Sequence, residues 1–169
     1  NVIGGGDFGE YRLIPDVVKS YNQKKALEIR NPMAVRPWQH VLSTISGYLI
    51  VGEKILLGEF SKGVDFNFGP LEDEVYSVQE VVNEFKKRWN DFPINLSEIT
   101  FHESKHLLID SSKARELLKW DSVWDFKKSI EMTIDWYDCY LNKNKAKSKE
   151  QLDKFILQAR KNKVKWSQG

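Results

Sequence analysis

Apolar positions follow two periods along the chain, and the helical one dominates. Val41, Ile45, Tyr48, Leu49, Gly52, Ile55 and Leu56 keep helical spacing, which predicts a helix from Gln39 to about Leu57, with Gly47 and Gly52 allowing close packing. Ser77-Val78-Gln79-Glu80 is a capping box, in which Ser and Glu side chains reciprocally satisfy free amides. The stripe behind it is Val78, Val81, Val82, Phe85 and Trp89. Asp110-Ser111-Ser112 offers caps for a helix through Leu118, and Asp125 for one striped by Phe126, Ile130, Thr133, Ile134, Tyr137 and Leu141. A last amphipathic helix carries Leu152, Phe155, Ile156 and Ala159, and a short one runs from the turn at Leu13-Ile14-Pro15-Asp16 to about Tyr21.

The strand signals are shorter. Asn1-Val2-Ile3 reads as a strand end entering Gly4-Gly5-Gly6, and Ala26 to Arg30 as a strand stopped by Asn31-Pro32. Val64 to Phe68 alternates up to Gly69-Pro70, and Leu107-Leu108-Ile109 is a brief apolar run. A strand does not stand alone at a terminus, so the chain is expected to continue something longer. The fold class expected is α/β with an α+β-like character, mostly helical with a few short strands.

Composition narrows this picture. With 41% hydrophobic and 12% aromatic residues among 169, the chain has material for a core of single-domain size, while 30% charged residues argue against a membrane protein. No stretch approaches ~20 apolar residues and no charged-then-apolar leader opens the chain, and Cys139 has no partner for an internal disulfide. A cytoplasmic setting is expected. From Asn142 onward nine Lys or Arg face only Glu150 and Asp153, a net +7, leaving residues 1 to 141 at −5. The Lys-rich joint from Asn142 to Lys149 reads as a flexible linker, dividing a body of residues 1–141 from a tail of 142–169. A solvated surface helix is the reading of that tail, with nucleic-acid contact as the minor alternative.

Three motif matches meet chemical objections. Gly4-Gly5-Gly6-Asp7-Phe8-Gly9 fits GxGxxG, with Glu28 near the distance of a ribose-binding acid, but Pro15 falls where an unbroken helix should hold a pyrophosphate. His102-Glu103-Ser104-Lys105-His106 fits HExxH, with Glu131 as a conceivable third ligand. The segment reads as extended, which places the two imidazoles ~13 Å apart and unable to share a zinc ion. Tyr21 and Lys25 fit YxxxK in a polar stretch with nothing to desolvate the pair, so solvated surface is expected.

NVIGGGDF (1–8), RLIPD (12–16), IRNP (29–32), RPWQHV (36–41), NFGP (67–70) and DSSKARELLKW (110–120) follow one another in an order that resembles extended short-chain dehydrogenases acting on nucleotide sugars. The RPWQHV and HExxxLxID forms look closest to the CDP-glucose 4,6-dehydratases. The resemblance implies the C-terminal, substrate-binding part of such an enzyme, with the Rossmann core missing. In that family a tightly held NAD oxidises the sugar at C4, water leaves across C5 and C6, and hydride returns to C6. The Gly-rich dinucleotide fold, the Tyr-Lys pair and the acid for those steps lie upstream of NVIGGG. The resemblance therefore implies NAD in the complete enzyme and none on this chain, no catalytic residue here, a missing half in cis or in trans, and a homodimer for the complete enzyme. A nucleotide-sugar epimerase or decarboxylase is the related alternative; a zinc hydrolase and a nucleic-acid-binding protein are the unrelated ones.

Position by position, Asn1 matches the family's substrate amide, and Arg12 and Leu13 match the pair opening the substrate-side helix, where anions are favoured. Arg36 matches the diphosphate Arg, whose planar fork holds two oxygens at once. Asn67 matches the Asn of an NIGG-like turn, and Arg30 lies on the strand framing the base. A second phosphate Arg is missing between Thr100 and His106, where Lys105 or His106 is expected to substitute. Trp38 and His40 are expected to pack rather than react.

Overall fold

The computed structural model describes residues 1–60, 63–71, 74–90, 92–96 and 104–168. Among the described residues, six helices and six short strands follow in the order β1 (Val2–Ile3), α1 (Leu13–Gln23), β2 (Leu27–Ile29), β3 (Val35–Arg36), β4 (Gln39–His40), α2 (Val41–Leu56), β5 (Tyr76–Ser77), α3 (Val78–Trp89), β6 (Ile94–Leu96), α4 (Ser112–Leu118), α5 (Phe126–Lys143) and α6 (Ser148–Lys161). A single 3-10 turn, Lys165–Ser167, closes the order. The strands make three two-stranded pairs: β1 with β4 parallel, β2 with β6 parallel, and β3 with β5 antiparallel.

Local chemistry explains most helix boundaries. Ser77 and Glu80 form the reciprocal capping box at α3, and Asp125 accepts the Lys128 amide at 2.7 Å to open α5. Several helices stop at residues with no glycine signal: Lys24, Lys119 and Asn144 take left-handed φ of 54°, 53° and 49°. α5 is the spine. Its buried Phe126, Ile130, Ile134 and Tyr137 join Val17 and Val18 of α1, Leu27 and Ile29 of β2, and Val81, Val82 and Phe85 of α3 in the main core. Ile50 of α2, Phe68 and Trp120 form a second cluster, and Trp124, Met132 and Phe155 a third that seats α6.

Three expectations are corrected. Gln39 and His40 are not helical but pair with β1, in register Val2 with Gln39 and Ile3 with His40, so the helix begins at Val41. Val64 to Phe68 keeps its alternation of exposed and sheltered side chains but is loop, because none of the described strands pairs with it. In α6, Gln151 is buried, its Nε2 donating to the Met132 carbonyl at 2.6 Å, while Leu152 is exposed.

The Lys-rich joint between α5 and α6 makes two contacts back to α5. Lys147 Nζ contacts both Asp135 carboxylate oxygens at 2.8 and 2.9 Å, and Ser148 Oγ accepts from Trp136 Nε1. The outer lysines of α6 pair along the helix, Lys149 with Asp153 and Lys154 with Glu150. Among the described residues no helix is long and apolar enough to cross a membrane.

Candidate functional site

The Gly-rich turn after β1 is shaped by packing. A Cβ on Gly5 would fall inside the Trp136 ring, and Gly6 takes φ 86° over the same indole. Close packing against that ring accounts for both glycines without a bound phosphate. The chain then reaches Asp7, whose carbonyl accepts from the Tyr137 hydroxyl at 2.5 Å. Burial pushes that phenol up to about 12, which keeps it a neutral donor. The Asp7 carboxylate accepts from the Gly9 amide at 2.9 Å and from Arg12 Nη1 at 3.0 and 3.2 Å, thereby aiming Arg12.

Arg12 is the residue before α1 and provides no side-chain cap. Pro15, in the first turn, has no N–H to satisfy. As at any α-helix start, the Leu13 and Ile14 amides have no intrahelical acceptor, and the helix dipole favours an anion there. Both residues line a cavity of about 500 Å³, the size of a small-molecule site.

That cavity gathers five of the sequence-derived site residues: Asn1, Arg12, Leu13, Arg30 and Arg36. They come from β1, the start of α1, the end of β2, and β3. The Arg36 guanidinium is held by two carbonyls, Val35 and Ser104, each at 2.9 Å from Nη1. Three carboxylates balance the three guanidinium groups. Asp7 pairs with Arg12; Glu28 accepts from Asn95 Nδ2 at 2.8 Å; the Asp16 carboxyl is raised by burial, against the pull of Lys19 and Arg30. Trp38 is buried against the cavity, its Nε1 donating to the Tyr76 carbonyl at 2.8 Å.

The other three sequence-derived residues stand elsewhere. Asn67 lies exposed in the loop before Phe68, away from the cavity lining. Lys105 and His106 are exposed on a stretch that runs beside β3, where Val35 donates to the Lys105 carbonyl at 2.8 Å and bridges to His106. They neighbour Arg36 along the backbone without lining the cavity. His102 and Glu103 of the HExxH match lie outside the described residues. Among the described residues no group of His, Cys, Asp and Glu is placed to hold a metal ion. Of the YxxxK match, Tyr21 stacks on Trp89 at 4.5 Å instead of facing solvent alone, and α1 ends before Lys25.

Two lining residues were not legible in the sequence. Tyr11, 84% exposed with φ 60°, is a strained non-glycine residue at the cavity mouth, a conformation that a Gly or Asn would have signalled and a Tyr does not. Asp7 was hidden by its place inside the GxGxxG match.

No family model matches the chain. The CDP-glucose 4,6-dehydratase of Salmonella typhimurium is 36% identical over 145 residues, which are 83% of this chain and 40% of that protein. The solved UDP-glucuronic acid 4-epimerase of Bacillus cereus, in complex with UDP-glucuronic acid and NAD, superposes with a TM-score of 0.68 at 19% identity, over 82% of this chain and 43% of its own. For the dTDP-glucose 4,6-dehydratase of Bacillus anthracis in complex with NAD the values are 0.67 and 21%, over 85% and 43%. The chain is similar in sequence to this dehydratase and in fold to these two enzymes. It has the fold of the C-terminal part of such enzymes and spans less than half the length of these relatives. The RLIPD and RPWQHV segments that carried the resemblance are the ones that supply Arg12, Leu13 and Arg36 to the cavity.

Proposed function

We propose that this chain is the nucleotide-sugar-binding part of an NAD-dependent CDP-glucose 4,6-dehydratase, a cytoplasmic lyase, and that its cavity holds the diphosphate and sugar of the substrate. The observation that carries this is the convergence of Arg12, Arg30 and Arg36 with the uncapped start of α1 around one concavity. In this reading Arg36 and the Leu13 and Ile14 amides take the diphosphate oxygens. Asn1 donates to the sugar side, and Arg30 lies against the base. Asn67, Lys105 and His106 remain candidates for the periphery of the bound molecule. NAD and the residues that move protons and hydride belong to a further portion, in cis or in trans, and the complete enzyme works as a homodimer.

Calorimetric titration of this chain with CDP tests the reading. Arg36→Ala should remove charge-assisted hydrogen bonds of roughly 1.5 to 3 kcal/mol, about a ten- to hundredfold loss of affinity. Arg36→Lys should recover only part, because a point charge does not reproduce the two-pronged geometry. A folded Arg36→Ala chain that binds CDP as tightly as the parent defeats the assignment.

A further inference from the structure

Among the described residues three carboxylates line the cavity: Asp7, Asp16 and Glu28. Two of them are engaged. Asp7 accepts from the Gly9 amide and from Arg12, and Glu28 accepts from Asn95. The Asp16 carboxylate accepts no hydrogen bond and makes no ion pair among the described residues. Lys19, one turn further along α1, lies 4.0 Å from Glu10. An acid in the first turn of a helix complements the dipole from the surface at little cost. Asp16 is half-buried instead, between buried Pro15 and Val17, and burial raises its carboxyl. A sheltered acceptor without a donor costs free energy that an N–H or O–H of a bound molecule recovers.

Its place in the cavity narrows what that molecule presents. Asn1 lies beside Arg36, its carbonyl accepting from the Gln39 amide at 3.0 Å. The charges acting on Asp16 are those of Lys19, Arg30 and Glu10, which sets it on the Arg30 side, where α1 packs beside β2. A carboxylate repels the diphosphate, which is drawn to Arg36 and the α1 amides. An acceptor beside a guanidinium matches the edge of cytosine, where the N4 amino group donates and the adjoining N3 and O2 accept. In uracil and thymine position 4 is a carbonyl oxygen, which a carboxylate repels.

We infer that Asp16 reads the base: its carboxylate accepts from the N4 amino group of cytosine and selects a cytidine nucleotide over a uridine or thymidine one. This rests on the reading above that the cavity holds a nucleotide sugar, and it names the residue that sets the base. Arg30 supplies the donor side of the same edge.

Calorimetric titration of the chain with CDP and with UDP tests this, because the two ligands differ at the base alone. The parent should prefer CDP by at least about tenfold, the discrimination that an acidic side chain on cytosine N4 provides. Asp16→Asn has nearly the same shape, and its amide turns an N–H toward O4 as readily as an oxygen toward N4. It should bring the two affinities within about threefold of each other. Asp16→Ala should weaken CDP about tenfold and leave UDP unchanged or tighter. Arg36→Ala, on the diphosphate, should weaken both equally and keep the parent's ratio.

A parent chain that binds CDP and UDP alike overturns the inference and leaves the diphosphate reading standing, and this measurement needs no variant. An Asp16→Asn chain that keeps the parent's ratio also overturns it. So does a loss shared equally by CDP and UDP, which gives the carboxylate to the ribose or to the fold alone. A parent that binds neither nucleotide defeats the reading above and this assignment with it.

Discussion

His40 sits at the buried junction of β4 and α2. Its Nδ1 accepts from the Leu42 amide at 3.3 Å, its ring stands edge-on to Trp124 at 4.8 Å, and burial pushes its pKa down to about 4. The unfolded chain protonates near 6.5 and the folded one does not, so His40 contributes stability fully above pH 6.5 and loses it as pH falls toward 4. The difference is on the order of a few kcal/mol. His40→Asn keeps a capping side chain without a titrating group. Chemical denaturation at pH 7 and pH 5 should therefore show a smaller acid loss for the variant than for the parent; equal losses would remove His40 as the cause. Two glycines on α2 make a second test. An added methyl at Gly47 would overlap the Phe68 ring, which Tyr48 and Trp120 hold edge-on, so Gly47→Ala should cost roughly 1 to 3 kcal/mol. Gly52→Ala, in open space, should stabilise the isolated chain by about 0.5 to 1 kcal/mol. Thermal melts of opposite sign are the expected result.

Among the elements, α3 has the most completely specified start. The Ser77 amide and hydroxyl both donate to Glu80 Oε2 at 2.7 Å, and Ser77 Oγ accepts from the Glu80 amide at 3.2 Å. These bonds from Ser77 hold the Glu80 carboxyl below its ordinary range. A depressed carboxylate stabilises the fold above its unfolded pKa and loses that contribution as pH falls through the folded value. Ser77→Ala should cost about 0.5 to 2 kcal/mol at pH 7 by urea denaturation, and the difference from the parent should shrink at acid pH. A difference that grows with acid would contradict the box as the source. At the other end of the chain, α6 turns Gln151 inward because a carbonyl of α5 waits there, so an apolar count alone mistakes its face.

For the molecule as a whole, the turn that matches a dinucleotide fingerprint is filled by Trp136, and the Tyr21 ring of the YxxxK match is stacked on Trp89. The purified chain should therefore retain no stoichiometric NAD and should not convert CDP-glucose to a 4-keto-6-deoxy product, while still binding CDP. Ultraviolet absorbance of the denatured supernatant and product chromatography check the two halves of this statement. Robust turnover by the chain alone would show that the residues assigned to a further portion are present here.

Sequence alone determined the features whose cause lies within a few residues. The capping box, the stripes of α3 and α5 and the β2 stop at Asn31-Pro32 are all local patterns, and local dihedrals and caps realise them without distant help. Tertiary structure decided whatever needs a partner far along the chain. Gln39 and His40 became strand because β1 lies beside them; Val64 to Phe68 stayed loop because none of the described strands does. The five cavity residues are spread over 36 positions, and only the packing of α1 beside β2 and of β1 beside β4 brings them around one space. Periodicity reports which residues share a face but not which side that face meets. That is why Ile45, Tyr48, Leu49 and Leu56 were read as a stripe and only the folded chain shows them facing out.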